Sequence, residues 1–139
     1  MKKSCNPAEP FIATRKHHLL ELAEDYVEII YDLIQEKNEA RVCDIAKHIG
    51  VSHVTVIRTV GRLKKKGFLL SQQHQPITLT DEGIKLSKFC KKRHAFLLKY
   101  LLALGVPAHI AQIDVEGMEH HISPVTMKVF QKHLETLLA

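Results

Sequence analysis

Cysteine is scarce: Cys5, Cys43 and Cys90 are odd in number, far apart, and never arranged as a CxxC pair. That excludes a disulfide frame and a zinc knuckle and leaves free thiols. Long apolar runs are missing too, since no stretch approaches the ~18 apolar residues of a membrane span. Met1-Lys2-Lys3-Ser4-Cys5 carries charge without the apolar segment of a signal peptide. A cytoplasmic address, away from any membrane, is expected. Internal repeats and low-complexity segments are absent. So are a nucleophile motif and a residue set suited to lining a small-molecule pocket, which argues against a small-molecule substrate.

What is present is a chain of 139 residues, 45% hydrophobic and 25% charged, long enough for one domain or two small ones with a real core. Its net charge is +5, and the distribution matters more than the total. Between Arg41 and Thr80 seven bases stand against one acid, Asp44, a local excess of +6. Such an excess suits a polyanion.

Residues 1–17, with two prolines and little periodicity, are expected to form a flexible arm. From about His18 to Lys37 the apolar residues Leu19, Leu22, Tyr26, Ile29, Ile30 and Leu33 keep helical spacing. Asp25 falls between Leu22 and Ile29, where a carboxylate either meets a cation or lies at the stripe's edge and reaches water. Arg41 to Gly50 reads as a short helix with Val42, Ile45, Ala46 and Ile49 inward, and Gly50 ends it. Ser52 then caps a helix through about Lys66. Val56, Val60 and Leu63 form its buried seam, and Thr55, Arg58, Thr59 and Arg62 its polar face. Two short helices joined by a tight turn, the second one basic, form a helix-turn-helix, for which the plain alternative is a helical hairpin with a solvated face. Phe68–Ser71 and Ile77–Thr80 read as the two strands of a wing behind it. Thr80-Asp81-Glu82-Gly83 caps a helix to about Leu104 whose stripe of Leu86, Cys90, Leu97 and Leu101 includes His94. By itself, His94 would be a hydrogen-bonded core residue. Further helices are expected over Ala108–His121 and Val125–Leu138. They bury little in so small a monomer, which points to a homodimer.

The chemistry concentrates in Glu116-Gly117-Met118-Glu119-His120-His121. On a helix Glu116, Glu119 and His120 occupy i, i+3 and i+4 and share one face, while His121 points elsewhere. Three such groups facing a packing partner need protons, hydrogen bonds or a metal. They read as half of a metal site. Di-metal carboxylate enzymes in helical bundles are marked by Glu-x-x-His pairs, whereas here Glu116 and His120 are four apart and no second copy exists.

Asp25-Tyr26-Val27-Glu28, the winged helix-turn-helix, Arg93-His94 and Val115-Glu116-Gly117-Met118-Glu119-His120-His121-Ile122-Ser123 together resemble the DtxR/MntR family of metal-dependent repressors, most closely its manganese branch. The resemblance covers about Leu22 to Ser123 in order. It implies a mainly α fold: a winged helix-turn-helix DNA-binding domain over 18–80, then a helical metal-binding and dimerisation domain over 81–139, with no SH3-like third domain. It also implies metal ligands at Asp25, Glu28, His94, Glu116, Glu119 and His120, holding two ions per subunit with Glu116 and Glu119 bridging. The iron branch typically has Met and Cys where this chain has Asp25 and Glu116, so the carboxylates point to Mn²⁺. Leu98 stands where the iron branch carries a further carboxylate.

Oxygen-rich donors with two imidazoles and no thiolate suit Mn²⁺ or Fe²⁺. The function expected is a Mn²⁺-responsive repressor of metal uptake genes, in which metal orders a homodimer for a palindromic operator. An Fe²⁺-responsive or metal-independent winged-helix regulator is the alternative, and a di-metal carboxylate enzyme a more distant one. Ser52, His53, Thr55, Arg58, Thr59, Arg62, Lys64 and Lys65 are the expected DNA contacts, with Arg58 at a base edge and the lysines, Lys66 included, at phosphates.

Overall fold

The computed structural model describes residues 6–139, so Met1–Cys5, the first part of the expected arm, lie outside the described residues. Six helices and one small hairpin follow in the order α1 (Glu9–Lys37), α2 (Val42–Ile49), α3 (His53–Lys65), β1 (Leu69–Leu70), β2 (Thr78–Leu79), α4 (Asp81–Leu104), α5 (Ala108–Met118) and α6 (Pro124–Leu138). They divide into two compact units. One is Leu22–Lys91, and the other is Lys92–Ala139 together with the residues up to Glu21. None of the described helices is long and apolar enough to cross a membrane.

α1 begins nine residues earlier than periodicity suggests, so residues 9–17 are helical where a flexible arm was expected. The reason is local. Asn6 Oδ1 accepts from Ala8 N at 3.0 Å, a turn that starts the helix, and Pro10 sits in the first helical turn, where a missing N–H costs nothing.

In the unit Leu22–Lys91 the core is aliphatic, with one tyrosine: Tyr26, Val27, Ile30 and Leu33 from α1, Ile45 and Ala46 from α2, and Val56, Val60 and Leu63 from α3, all buried. α2 ends because Gly50 takes a left-handed φ of 78°, a conformation cheap only for glycine. Its N–H still reaches the Ala46 carbonyl at 2.9 Å. α3 starts where Ser52 Oγ accepts from Thr55 N at 3.2 Å. The hairpin is antiparallel, pairing Leu69 with Leu79 and Leu70 with Thr78, and each strand is shorter than the sequence suggests. A single bridge between Ala40 and Ile77 ties the returning strand to the segment before α2.

α4 follows from Thr80, whose hydroxyl accepts from Gly83 N at 3.1 Å and donates to the Gly67 carbonyl at 2.6 Å. The division between compact units falls after Lys91, inside α4. Contacts of the first three α4 turns tie them to α1. Cys90 donates to Glu24 at 3.4 Å, and Lys91 pairs with Asp32 while lying over the Tyr31 ring.

In the other unit Leu97, Tyr100, Ala111, Val115 and Leu134 are buried. Tyr100 stacks on Phe130 with centroids 4.8 Å apart, and its hydroxyl lies 2.8 Å from His133 Nδ1. α6 is capped by Ser123 with Pro124 in its first turn. Of its apolar residues Leu134 is buried, while Val125, Val129, Leu137 and Leu138 are exposed.

Candidate metal centre and nucleic-acid interface

α5 stops at Met118, three residues before the expected His121. Glu119 nevertheless keeps a right-handed helical backbone (φ −60°, ψ −28°), and its N–H reaches the Val115 carbonyl at 3.0 Å. The i, i+3 relation of Glu116 and Glu119 therefore survives the helix end. His94 arrives from α4, its Nδ1 at 2.7 Å from Glu119 Oε2 and 3.9 Å from Glu116 Oε1. His120 Nε2 lies 3.5 Å from Glu119 Oε1. One donor atom from each of His94, Glu116 and Glu119 falls within 4.8 Å of the others.

Burial is graded across the cluster: the Glu119 and His120 side chains are 1% exposed, His94 29%, and Glu116 67%. His94 and Glu116 line a cleft of ≈ 440 Å³ together with Leu98, His109, Gln112 and Ile113. His121 turns away to Glu21, with its Nε2 at 3.3 Å from Oε2.

A buried carboxylate flanked by two imidazoles and a second carboxylate fits a hard divalent cation. Burial pushes the Glu119 carboxyl above its ordinary range and the Glu116 charge adds to this, while His94 and then His120 oppose it. For a carboxylate raised in the folded state, the contribution to stability is full below the unfolded value, about pH 4. It is lost as pH rises through the folded value. In chelator, Glu119→Gln is therefore expected to be increasingly more stable than the parent as pH climbs from the carboxylate range toward neutrality. Urea midpoints across that range check this, and a constant difference would remove burial as the cause.

Asp25 and Glu28, the remaining expected ligands, belong to the other unit, on α1, and both are half-buried. Beside them the buried Glu24 was missed, although its place three residues before Val27 puts it on the inward face.

In the unit Leu22–Lys91, Ser52, His53, Thr55, Arg58, Arg62, Lys64 and Lys65, all expected at DNA, are exposed. Thr59, also expected at the DNA, is 6% exposed and lies on the buried seam, three residues after Val56 and four before Leu63. Val54 and Ile57, apolar and unremarked in the sequence, stand 64% and 59% exposed on the same helix. Lys64 spends its ammonium on the Ser71 carbonyl at 2.7 Å.

Comparison with known proteins gives a consistent result. Residues 18–75 match the iron dependent repressor N-terminal DNA binding domain, and residues 80–138 match the iron dependent repressor metal binding and dimerisation domain. A transcriptional regulator MntR of Salmonella typhimurium strain LT2 is 44% identical over 122 residues, covering 88% of this chain and 78% of that protein. The MntR of Escherichia coli O157:H7 is 43% identical over 129 residues, covering 90% and 83%. Among solved structures, a manganese-dependent transcriptional repressor in complex with manganese superposes with a TM-score of 0.70 at 28% identity. The manganese regulator SloR gives 0.71 at 26%. This chain is covered to 81% in both comparisons, and it spans about half of each solved chain, 52% and 53%.

Proposed function

Because the chain belongs to the iron dependent repressor family and carries both its DNA-binding and its metal-binding and dimerisation domains, we propose that it is a Mn²⁺-responsive transcriptional repressor acting as a homodimer. The observation that carries this is the convergence of His94, Glu116 and Glu119 in a chain whose other unit presents a basic helix-turn-helix. The relatives are regulators rather than enzymes, which sets the di-metal enzyme aside.

The full ligand set we propose is Asp25, Glu28, His94, Glu116, Glu119 and His120, sufficient for two ions per subunit. Bound Mn²⁺ supplies the positive charge that offsets four carboxylates. The imidazoles of His94 and His120 hold Glu119 in place, and Glu116 stands at the solvent side. Asp25 and Glu28 come from the DNA-binding unit and the other four from the helical one. A set drawn from both links the two equilibria, so metal and DNA each strengthen binding of the other. The same donors accept Fe²⁺, and the dicarboxylate pattern at Asp25 and Glu116 favours manganese.

In the dimer, for which Val125, Val129, Leu137 and Leu138 offer an uncovered apolar face, two α3 helices reach major grooves about 34 Å apart on a palindromic site. Ser52, His53, Thr55, Arg58 and Arg62 face the bases, with Arg58 as the main reader of a guanine edge. Lys65 and Lys66 take phosphates.

An anisotropy titration of a palindromic operator tests this. Affinity is expected to rise by roughly 5- to 150-fold between chelator and Mn²⁺. Arg58→Ala should cost about 1 to 3 kcal/mol of specific binding and relax preference at one base pair. Equal affinity with and without Mn²⁺ would overturn the reading. A change confined to the salt slope would move Arg58 to a phosphate.

A further inference from the structure

The wing is held to the fold unevenly. Its returning limb has two anchors: the rungs to β1 and the Ala40–Ile77 bridge, where Ile77 N donates to the Ala40 carbonyl at 2.8 Å. Its outgoing limb loses the ladder after Leu70, because only two residue pairs are formed. From there the chain arches over a cleft of ≈ 350 Å³ lined by Lys64, Leu70, Ser71, Gln72, Gln75, Pro76 and Thr78. Gln72, Gln73, His74 and Gln75 are exposed, and a turn bond from Gln75 N to the Gln72 carbonyl at 3.1 Å closes the tip. His74 takes a φ of 62° there. At the start of this arch Lys64 Nζ donates to the Ser71 carbonyl at 2.7 Å, joining the last turn of α3 to the outgoing limb one residue past its last rung.

Charge sharpens the point. Residues 67–80 contain no Lys or Arg, so the wing brings no fixed positive charge to DNA. What its tip offers is amides, which hydrogen-bond to groove acceptors only when held in register, because a neutral contact has no long-range attraction to forgive misplacement. A lysine at this place in a basic helix would ordinarily be assigned to a phosphate.

We propose that Lys64 is a positioning residue: its ammonium straps the outgoing limb of the wing to α3, and the strap, rather than a phosphate contact, is its part in DNA binding. The inference rests on the DNA-binding reading above and concerns which element Lys64 serves.

The test uses the full chain with Mn²⁺ and compares Lys64→Met and Lys64→Arg with the parent. Lys64 is exposed, so both variants keep the core, and Arg58→Ala with its own loss of binding shows separately that α3 reads DNA. Amide order parameters of Ser71–Gln75 in the free protein are expected to fall in Lys64→Met and recover in Lys64→Arg. Operator affinity should drop roughly five- to tenfold in Lys64→Met with the dependence on salt unchanged. Adding Gln73→Ala to Lys64→Met should cost little more than Lys64→Met alone. A phosphate role predicts the reverse: the salt slope shallower by about 0.9 per lost contact, the wing as ordered as before, and Gln73→Ala fully additive. That pattern overturns the proposal, as does a loosened wing with affinity unaltered.

Discussion

Glu119→Gln is expected to leave operator affinity in Mn²⁺ about equal to that in chelator, collapsing a coupling of roughly 5- to 150-fold to near unity. The size follows from position. Glu119 is the carboxylate that touches both imidazoles, with His94 at 2.7 Å and His120 at 3.5 Å, and like His120 it is buried. Glu116, at 67% exposure, keeps a hydration shell and can be replaced in part by water. Gln keeps the shape and the neutral hydrogen-bonding edge but removes the charge, so the protein should still fold. Because burial already disfavours the charged form of Glu119, the metal-free variant should be at least as stable as the metal-free parent. That separates loss of a ligand from loss of structure. Calorimetry with Mn²⁺, run beside anisotropy and a melting curve, resolves the three quantities. Undiminished Mn²⁺ stimulation in Glu119→Gln would show that the switch lies elsewhere in the chain.

Much of this site could be read in the sequence because its geometry is local. Glu116 and Glu119 lie three apart at the end of α5, and His94 falls on the apolar stripe of α4, so helical spacing places the side chains, while the family resemblance joins them as ligands. The helix-turn-helix was legible for the same reason, with Ser52 capping α3 and Gly50 ending α2. What escaped has a physical pattern too. Thr59 was put on the polar face by its chemistry, although its spacing from Val56 and Leu63 places it in the seam, where a threonine methyl packs as well as an alanine. The extension of α1 over residues 9–17 was hidden by Pro10, which reads as a breaker unless it stands in a first turn. The Lys64–Ser71 bond depends on a hairpin only two pairs long, and no periodicity encodes that length.

Gly83 is the position where a single methyl group should do most damage to the DNA-binding unit. It lies in the first turn of α4, four residues past the strand Thr78–Leu79, and a Cβ there would fall well inside contact distance of the Phe68 carbonyl oxygen. The same methyl would also stand 3.2 Å from the Phe68 carbonyl carbon and 3.3 Å from Leu79 Cδ2. That carbonyl is already engaged, accepting from Thr80 N at 3.1 Å at the base of the wing. It is backbone, held by the hairpin, and cannot swing aside as a side chain would.

Two effects compete in Gly83→Ala. Helix propensity favours alanine by about 1 kcal/mol. Overpacking costs about 1 to 3 kcal/mol, and more where backbone must move. The clash should win, lowering the melting temperature by roughly 10 °C or more for a unit of this size and weakening operator binding with it. Gly61→Ala on α3 is the control, since a Cβ there meets nothing within 4 Å and only the propensity gain remains. The pair should therefore move in opposite directions. A Gly83→Ala midpoint at or above that of the parent would mean that α4 does not sit against the Phe68 carbonyl, and that the strap of Thr80 between Gly67 and Gly83 is looser than its hydrogen bonds indicate.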